Sequence, residues 1–359
     1  MERRFLREAL LALGTERPGL RDAARAVRKW DRALSLAQAG SVAESVWAAM
    51  VLRELQDEIP EPARSAFDEG HVGATARNAL LLSEAASVQA ALEAAGIASI
   101  VLKGPGLLVA HYPDIGARHV GDVDLLVRKR DSGNADRIAR SLGARERDPV
   151  LRYDGTRAEH AEPGEVHSPL VYTAHGVALE MHQAQPGEGR GGSDFDGLLA
   201  RSRTVAWQGR QLRIPSVADL AAGACMHVFD HHDGREKFLP RLLADLAVTV
   251  GAGAATWDEV RARMPQRGSR DALGASRRLL EQGPVGGLAT WRHALRVRAK
   301  HWGAVFASHG RSPKDFARIL FPARGYMATR YRISETSPLV PLLYLWRPLR
   351  GFWALVTGR

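Results

Sequence analysis

Residues 120–127 read Val-Gly-Asp-Val-Asp-Leu-Leu-Val, and no other feature constrains the fold of this chain as tightly. In an extended strand successive side chains alternate in direction, so Asp122 and Asp124 share one face while Val123, Leu125 and Val127 share the other. The apolar face needs a covering layer of helices. The acidic face brings two carboxylates one strand step apart, where they repel unless a cation sits between them. A divalent metal with oxygen ligands is the natural cation, and Mg²⁺ (or Mn²⁺) held by few carboxylates plus substrate phosphates is its usual arrangement. Alone, an Asp-x-Asp is weak evidence, since a solvated strand edge produces it too.

The neighbouring segments supply the context. Ile97 to Leu102 is a short apolar run rich in β-branched residues, and Lys103-Gly104-Pro105-Gly106 follows at once. This predicts a strand running into a glycine turn, then a short helix over Leu107 to Tyr112. Glycines there let backbone amides approach phosphate oxygens, and a helix N-terminus favours the anion. Lys103 and Arg118 can each neutralise phosphate charge. A helix is expected from Asp131 to Leu142, ended by Gly143. Glu146 to Ser168 reads as a polar loop or ragged hairpin. Pro169 to Ala174, His175-Gly176, and Val177 to His182 read as strand, turn, strand. In the last of these, Val177, Leu179 and Met181 face one way, and Ala178, Glu180 and His182 the other. Glu180 is therefore a third acid on a strand, and pairing beside the Asp122 strand would make three carboxylates converge, enough for in-line displacement at phosphorus.

Helical patterning flanks this core. Residues 1–95 are rich in Ala, Leu, Arg and Glu, with apolar residues at three- and four-residue spacing, as in Val42, Val46, Ala49 and Met50. A break at Ile59-Pro60-Glu61-Pro62 divides them, and Ala74 to Ala95 reads as a further helix capped by Gly96. Gln185 to Ser193 reads as a flexible loop. Ser216 caps a helix after Ile214-Pro215, and helical patterning continues to the end. The expected class is α+β: a small mixed sheet between helical regions, with divisions at 1–95, 96–215 and 216–359.

The run VLKGPGLLVAHYPDIGARHVGDVDLLV, followed by VALEMH, resembles the nucleotidyltransferase superfamily with the DNA polymerase β-type palm. It is most similar to the bacterial branch whose signature is Leu-Lys-Gly, then Tyr-Pro, Arg and Asp-x-Asp-x-Leu-Val. Cys225-Met226-His227 and the run from Arg241 to Leu246 resemble the same branch, whose helical region carries a His and a later Asp. The likeness covers roughly residues 97–250 and implies transfer of a nucleoside monophosphate from an NTP, ATP by default, to an acceptor. By motif position Asp122, Asp124 and Glu180 are the implied catalytic and metal-binding residues. Lys103, Gly104 and Arg118 are the implied nucleotide-binding residues. Lys103-Gly104 stands where the wider superfamily has Gly-Ser or Gly-Gly, and Pro105 lacks the N–H that a phosphate cradle would use. The implied acceptor is a hydroxyl, amine or phosphate of a small molecule, peptide or protein.

Charge and composition limit the rivals. The net charge is +10, and from Trp291 onward there are 13 Lys or Arg against two acids, Asp315 and Glu335. Such a block suits a solvated helical face, or contact with nucleic acid or an anionic surface. It motivates an alternative: an RNA- or membrane-surface-binding protein with a vestigial nucleotidyltransferase site. A second rival, phosphate transfer or phosphodiester cleavage by the same carboxylates, differs in its products. Ser337 to Arg359 is apolar, aromatic and basic, but prolines and arginines interrupt it, and no stretch is long and apolar enough to span a membrane. Cys225 is the sole cysteine, which excludes an internal disulfide. With no secretory leader read at the N-terminus, a cytoplasmic protein is expected. His227 and His231 lie a helical turn apart near His232 and Asp233, yet no His-Glu-x-x-His arrangement supports a zinc enzyme. They are read as structural or acceptor-site residues. Asp245 either pairs with Arg241 on its own helix or reaches the active site.

Overall fold

A computed structural model describes residues 1–146, 170–183, 194–232, 236–264, 269–283, 321–331 and 333–346. Apart from Glu146 itself, the expected loop from Glu146 to Ser168 lies outside the described residues, as do the loop over 185–193 and much of the basic segment after Trp291.

The N-terminal region is helical: α1 (Glu2–Ala12), α2 (Leu20–Arg25), α3 (Trp30–Ala39), α4 (Ala43–Leu52) and α5 (Ala63–Ala94). The expected break at 59–62 is present, since Pro62 immediately precedes α5. The further helix expected from Ala74 is instead the second half of α5, which runs unbroken for 32 residues. Gly70 and Gly73 inside it lower helix propensity, but packing of Phe67, Ala74, Leu81, Leu82, Ala85 and Leu92 outweighs that loss. Gly96 ends the helix at φ +74°, with the Ile97 N–H reaching back to the Leu92 carbonyl at 2.9 Å.

The sheet comprises β1 (Ser99–Val101), β2 (Asp122–Val127), β3 (Val171–Tyr172) and β4 (Ala178–His182), in the order β1-β2-β4-β3. β1 pairs antiparallel with β2, β2 parallel with β4, and β4 antiparallel with β3. The sheet is therefore mixed, as expected. Between β1 and β2 runs α6 (Lys103–His111), and after β2 comes α7 (Ser132–Ser141). Val123, Leu125 and Val127 are buried in the main core, whereas Leu126 packs with Ile100, Leu102, Phe195 and Leu198 on the other face.

The segment 103–106, expected as a turn, is the first turn of α6. The first backbone N–H groups of a helix have no partner within it, so Pro105 loses no hydrogen bond there. Lys103 itself has φ +50°, a left-handed conformation that turns the chain sharply out of β1 at a cost of about 1–3 kcal/mol.

Beyond β4 come α8 (Phe195–Arg201), then an unexpected hairpin of β5 (Arg203–Trp207) and β6 (Arg210–Ile214). Its two-residue turn, Gln208-Gly209, has positive φ at both positions, the conformation that matches strand twist. Helices α9 (Val217–Met226), α10 (Leu239–Leu246), α11 (Trp257–Ala262), α12 (Ser269–Gln282) and α13 (Arg324–Tyr331) follow. Ser216 caps α9, accepting a hydrogen bond from the Asp219 N–H. Two helices extend into π-type turns, α9 through His227–His231 and α10 through Ala247–Gly251. One hydrophobic core runs from Phe5 in α1 to Leu279 in α12, and α1 packs directly on α10. No helix among the described residues is long and apolar enough to cross a membrane.

Candidate active site

The parallel pairing of β2 with β4 sets the site. Its register places Asp122 opposite Ala178, Asp124 opposite Glu180 and Leu126 opposite His182. Residues directly across a sheet share a face, so Asp122, Asp124, Glu180 and His182 project on the same side. A cleft of about 320 Å³ opens there, and Lys103, Gly104, Arg118, Asp122, Asp124 and Glu180 all line it. His227, His232, Arg241 and Asp245 join from the helical side.

Asp124 is the centre of charge. It is 1% exposed, and its Oδ1 accepts from Lys103 Nζ at 2.9 Å and from His182 Nε2 at 2.6 Å. Burial raises the proton affinity of this carboxyl, but the His182 hydrogen bond and the Lys103 charge outweigh burial and hold its pKa well below the usual carboxylate range. His182 also lies 3.3 Å from Glu180 Oε2. Its own proton affinity is raised, because the hydrogen bonds to Asp124 and Glu180 outweigh the opposing effect of burial. Asp122 stands at the exposed end of β2. The cleft walls desolvate its carboxyl, and the Asp124 charge beside it adds to the effect, so its pKa is raised.

This donor set suits a divalent cation. One ligand atom each from Asp124, Glu180 and His182 lies within 4.8 Å of the others, and Asp122 is next along the strand. Positive charge already gathers at Asp124, where an ammonium and an imidazole share one oxygen. Carboxylate oxygens favour hard ions such as Mg²⁺ or Mn²⁺, while an imidazole nitrogen is better suited to Mn²⁺ than to Mg²⁺.

Lys103 reaches Asp124 because the Leu102 N–H bonds to the Asp124 carbonyl at 2.9 Å, fixing the end of β1 beside β2. Gly104 is required by a close approach: a Cβ there would lie 2.6 Å from Arg118 Nη1. Arg118 comes from the 112–121 loop, which the N-terminal helices hold from below. Ser45 of α4 donates to the Ala117 carbonyl at 2.7 Å, and Asn78 of α5 donates to the carbonyls of Ile115 and Arg118 at 2.6 and 2.8 Å. Gly116 lets the loop approach α5, since a Cβ there would meet Thr75 Oγ1 at 2.2 Å.

The Arg118 guanidinium is braced by Asp245 of α10. Nε donates to Oδ1 at 2.8 Å and Nη2 to Oδ2 at 2.9 Å, while Tyr112 donates its hydroxyl to the same Oδ1 at 2.7 Å. All three residues are buried. Asp245 thus reaches the cleft wall and pairs with Arg118 rather than with Arg241. Burial would lower the Arg118 pKa, but the Asp245 charge and hydrogen bond outweigh it and raise the pKa further.

His227 and His232 approach edge to face, with Nε2 atoms 3.1 Å apart, and His232 stacks on Phe238. Both line the cleft, at and just past the π-type turn that extends α9. Such turns often mark functional sites, because the extra residue re-aims side chains. His182, which bonds Asp124, and Arg241, which lines the cleft, were not among those the sequence singled out as site residues. Strand alternation had put His182 on the Glu180 face, and that was the usable signal. Arg241 had none beyond its place in the α10 motif.

The geometry meets an independent comparison. Residues 27–282 match the family described as uncharacterised nucleotidyltransferase, and the chain belongs to that family. The chain is also similar to the solution structure of the antibiotic-resistance factor ANT(2'')-Ia, at 14% identity and a TM-score of 0.36, over 55% of this chain and 95% of that one. No curated protein matches the chain.

Proposed function

We propose that the protein transfers a nucleoside monophosphate from an NTP, ATP by default, to a hydroxyl, amine or phosphate of a small molecule, peptide or protein, releasing pyrophosphate. The observation that carries this reading is the β2–β4 register, which sets Asp124 against Glu180 beside Asp122 in the cleft that also holds Lys103 and Gly104. Asp122, Asp124 and Glu180 would hold the divalent ion. When bound, Mg²⁺ or Mn²⁺ would supply charge neutralisation at the reacting phosphate and its leaving oxygen.

The remaining work falls to the chain. Lys103, on an α6 N-terminus that itself favours anions, draws the phosphates toward Asp124. Gly104 keeps the approach open, and Arg118, immobilised by Asp245, presents a fixed positive edge beneath it. Glu180 accepts the proton of the attacking acceptor group. That group forms a bond to the α-phosphorus as the bond to the bridging oxygen breaks, and the electron pair leaves with pyrophosphate. Catalysis of this kind is positioning plus electrostatic stabilisation. A cytoplasmic setting, where NTPs are plentiful, belongs to the same proposal.

The test uses NTPs labelled at either the α- or the γ-phosphate, incubated with the protein, Mg²⁺ or Mn²⁺, and extracts of small molecules and of proteins. Label carried onto an acceptor from the α-position alone, and lost with Asp124→Asn, supports the proposal. Transfer of γ-label would instead identify a phosphotransferase and overturn it.

A further inference from the structure

Three long cationic side chains line the cleft: Lys103, Arg118 and Arg241. Two are already matched by carboxylates, Lys103 by Asp124 and Arg118 by Asp245. Arg241 is not. Among the described residues it forms no ion pair, and its Cζ lies over the Phe238 ring, 5.6 Å from the centroid. It is half-buried on α10, one turn before Asp245, so the two residues share a face of the helix. Asp245 has turned to Arg118, which leaves Arg241 at the cleft wall without a direct ion pair among the described residues.

A partly buried guanidinium without an anion has lost hydration and gained little in return. Burial, and after it the nearby Arg118, lowers its proton affinity, and the carboxylates of Asp245 and Asp122 offset only part of that. The surroundings of Arg241 therefore favour an incoming anion. A guanidinium presents a planar fork of N–H donors that matches phosphate oxygens. A triphosphate entering this cleft brings its charge toward Asp122, Asp124 and Glu180, which repel it. Among the described Lys and Arg residues that line the cleft, Arg241 is the one with no carboxylate in direct ion-pair contact.

We infer that Arg241 binds the phosphates that leave as pyrophosphate and thereby makes the cleft select nucleoside triphosphates over monophosphates. This rests on the nucleotidyltransferase reading of the cleft, and it names a residue on the helical side that the Asp-x-Asp motif does not include.

The experiment titrates wild type, Arg241→Ala and Arg241→Lys with the four NTPs and the matching NMPs at saturating Mg²⁺, by calorimetry, with thermal unfolding of each nucleotide-free protein recorded alongside. Arg241 makes no ion pair among the described residues, so the unfolding midpoints are expected to stay close together. Wild type is expected to prefer triphosphate. Arg241→Ala should lose about 10- to 100-fold in NTP affinity, as for a lost charge-assisted hydrogen bond, with NMP affinity changed less than about threefold. Arg241→Lys should recover part of the loss. An Arg241→Ala variant that keeps the wild-type preference, or that loses NTP and NMP binding equally, overturns the inference and leaves the reading of the cleft intact. Wild type that binds no NTP overturns that reading, and the inference with it.

Discussion

Arg118 and Asp245 are 127 residues apart in sequence and meet in a buried, two-pronged ion pair at 2.8 and 2.9 Å. The pair joins the loop before β2 to α10 and so couples the sheet to the helical region at the wall of the cleft. Breaking it from one side strands the other charge. Arg118 cannot shed its proton, so Asp245→Ala is expected to cost about 3–5 kcal/mol in urea denaturation. The double variant Arg118→Met/Asp245→Leu, which removes both charges, should recover much of that. A single-variant cost below about 1 kcal/mol would show that the pair does not hold these elements together.

Gly104→Ala tests the same wall from the other side. The added methyl would lie 2.6 Å from Arg118 Nη1 and 3.2 Å from Val120 Cγ1. Arg118 is held by Asp245 and cannot swing away freely, so the expected cost is about 1–3 kcal/mol, with loss of nucleotide binding. Gly133→Ala, in the first turn of α7 where a Cβ meets nothing within 4 Å, is the control and should leave stability unchanged or raise it by up to about 1 kcal/mol. Equal unfolding midpoints for the two variants would contradict the close approach.

The length of α5 gives a stabilising change. Gly70 and Gly73 are exposed within the helix, and a Cβ at either meets nothing within 4 Å. Each replacement by Ala should stabilise the protein by about 0.5–1 kcal/mol. Destabilisation by both would show that α5 is not continuous there.

His111, at the end of α6, accepts a hydrogen bond from Arg203 Nη2 at 2.9 Å. Burial, and secondarily the Arg203 charge, pushes its pKa down from 6.5 to about 4. Between those values the unfolded chain binds a proton that the folded chain refuses, so stability should fall as pH drops from about 6.5 toward 4 and gain nothing from this group above that window. NMR titration should find the imidazole neutral at pH 5. His111→Gln should flatten the stability slope across the window, and an unchanged slope would contradict the assignment.

How much of this was legible in the sequence follows the range of each interaction. The faces of β2 and β4, the Ser216 cap and the Gly96 stop depend on neighbours within a few residues, and all could be read directly. The segment 103–106 was readable only in part: Gly-Pro-Gly resembles a turn because its missing N–H and open backbone suit one, yet both suit a helix's first turn equally. The β5–β6 hairpin has its sequence signal in Gln208-Gly209, a weaker turn pair than Asn-Gly or Asp-Gly. The Asp245 carboxylate could not be assigned, because its partner is fixed by a loop that Ser45 and Asn78 hold from distant helices. Asp245 was equally compatible with Arg241, one turn away. The choice between those two arginines is tertiary, and it leaves Arg241 available to a ligand.

The central claim, that Asp122 and Asp124 form the metal-dependent nucleotide site, is tested most directly by calorimetry of all four NTPs with and without Mg²⁺, on wild type and on Asp122→Ala/Asp124→Ala. The account expects at least one NTP to bind wild type only when metal is present, and the double variant to lose that binding while remaining folded. If no NTP binds wild type, or if the double variant binds as wild type does, the account is contradicted.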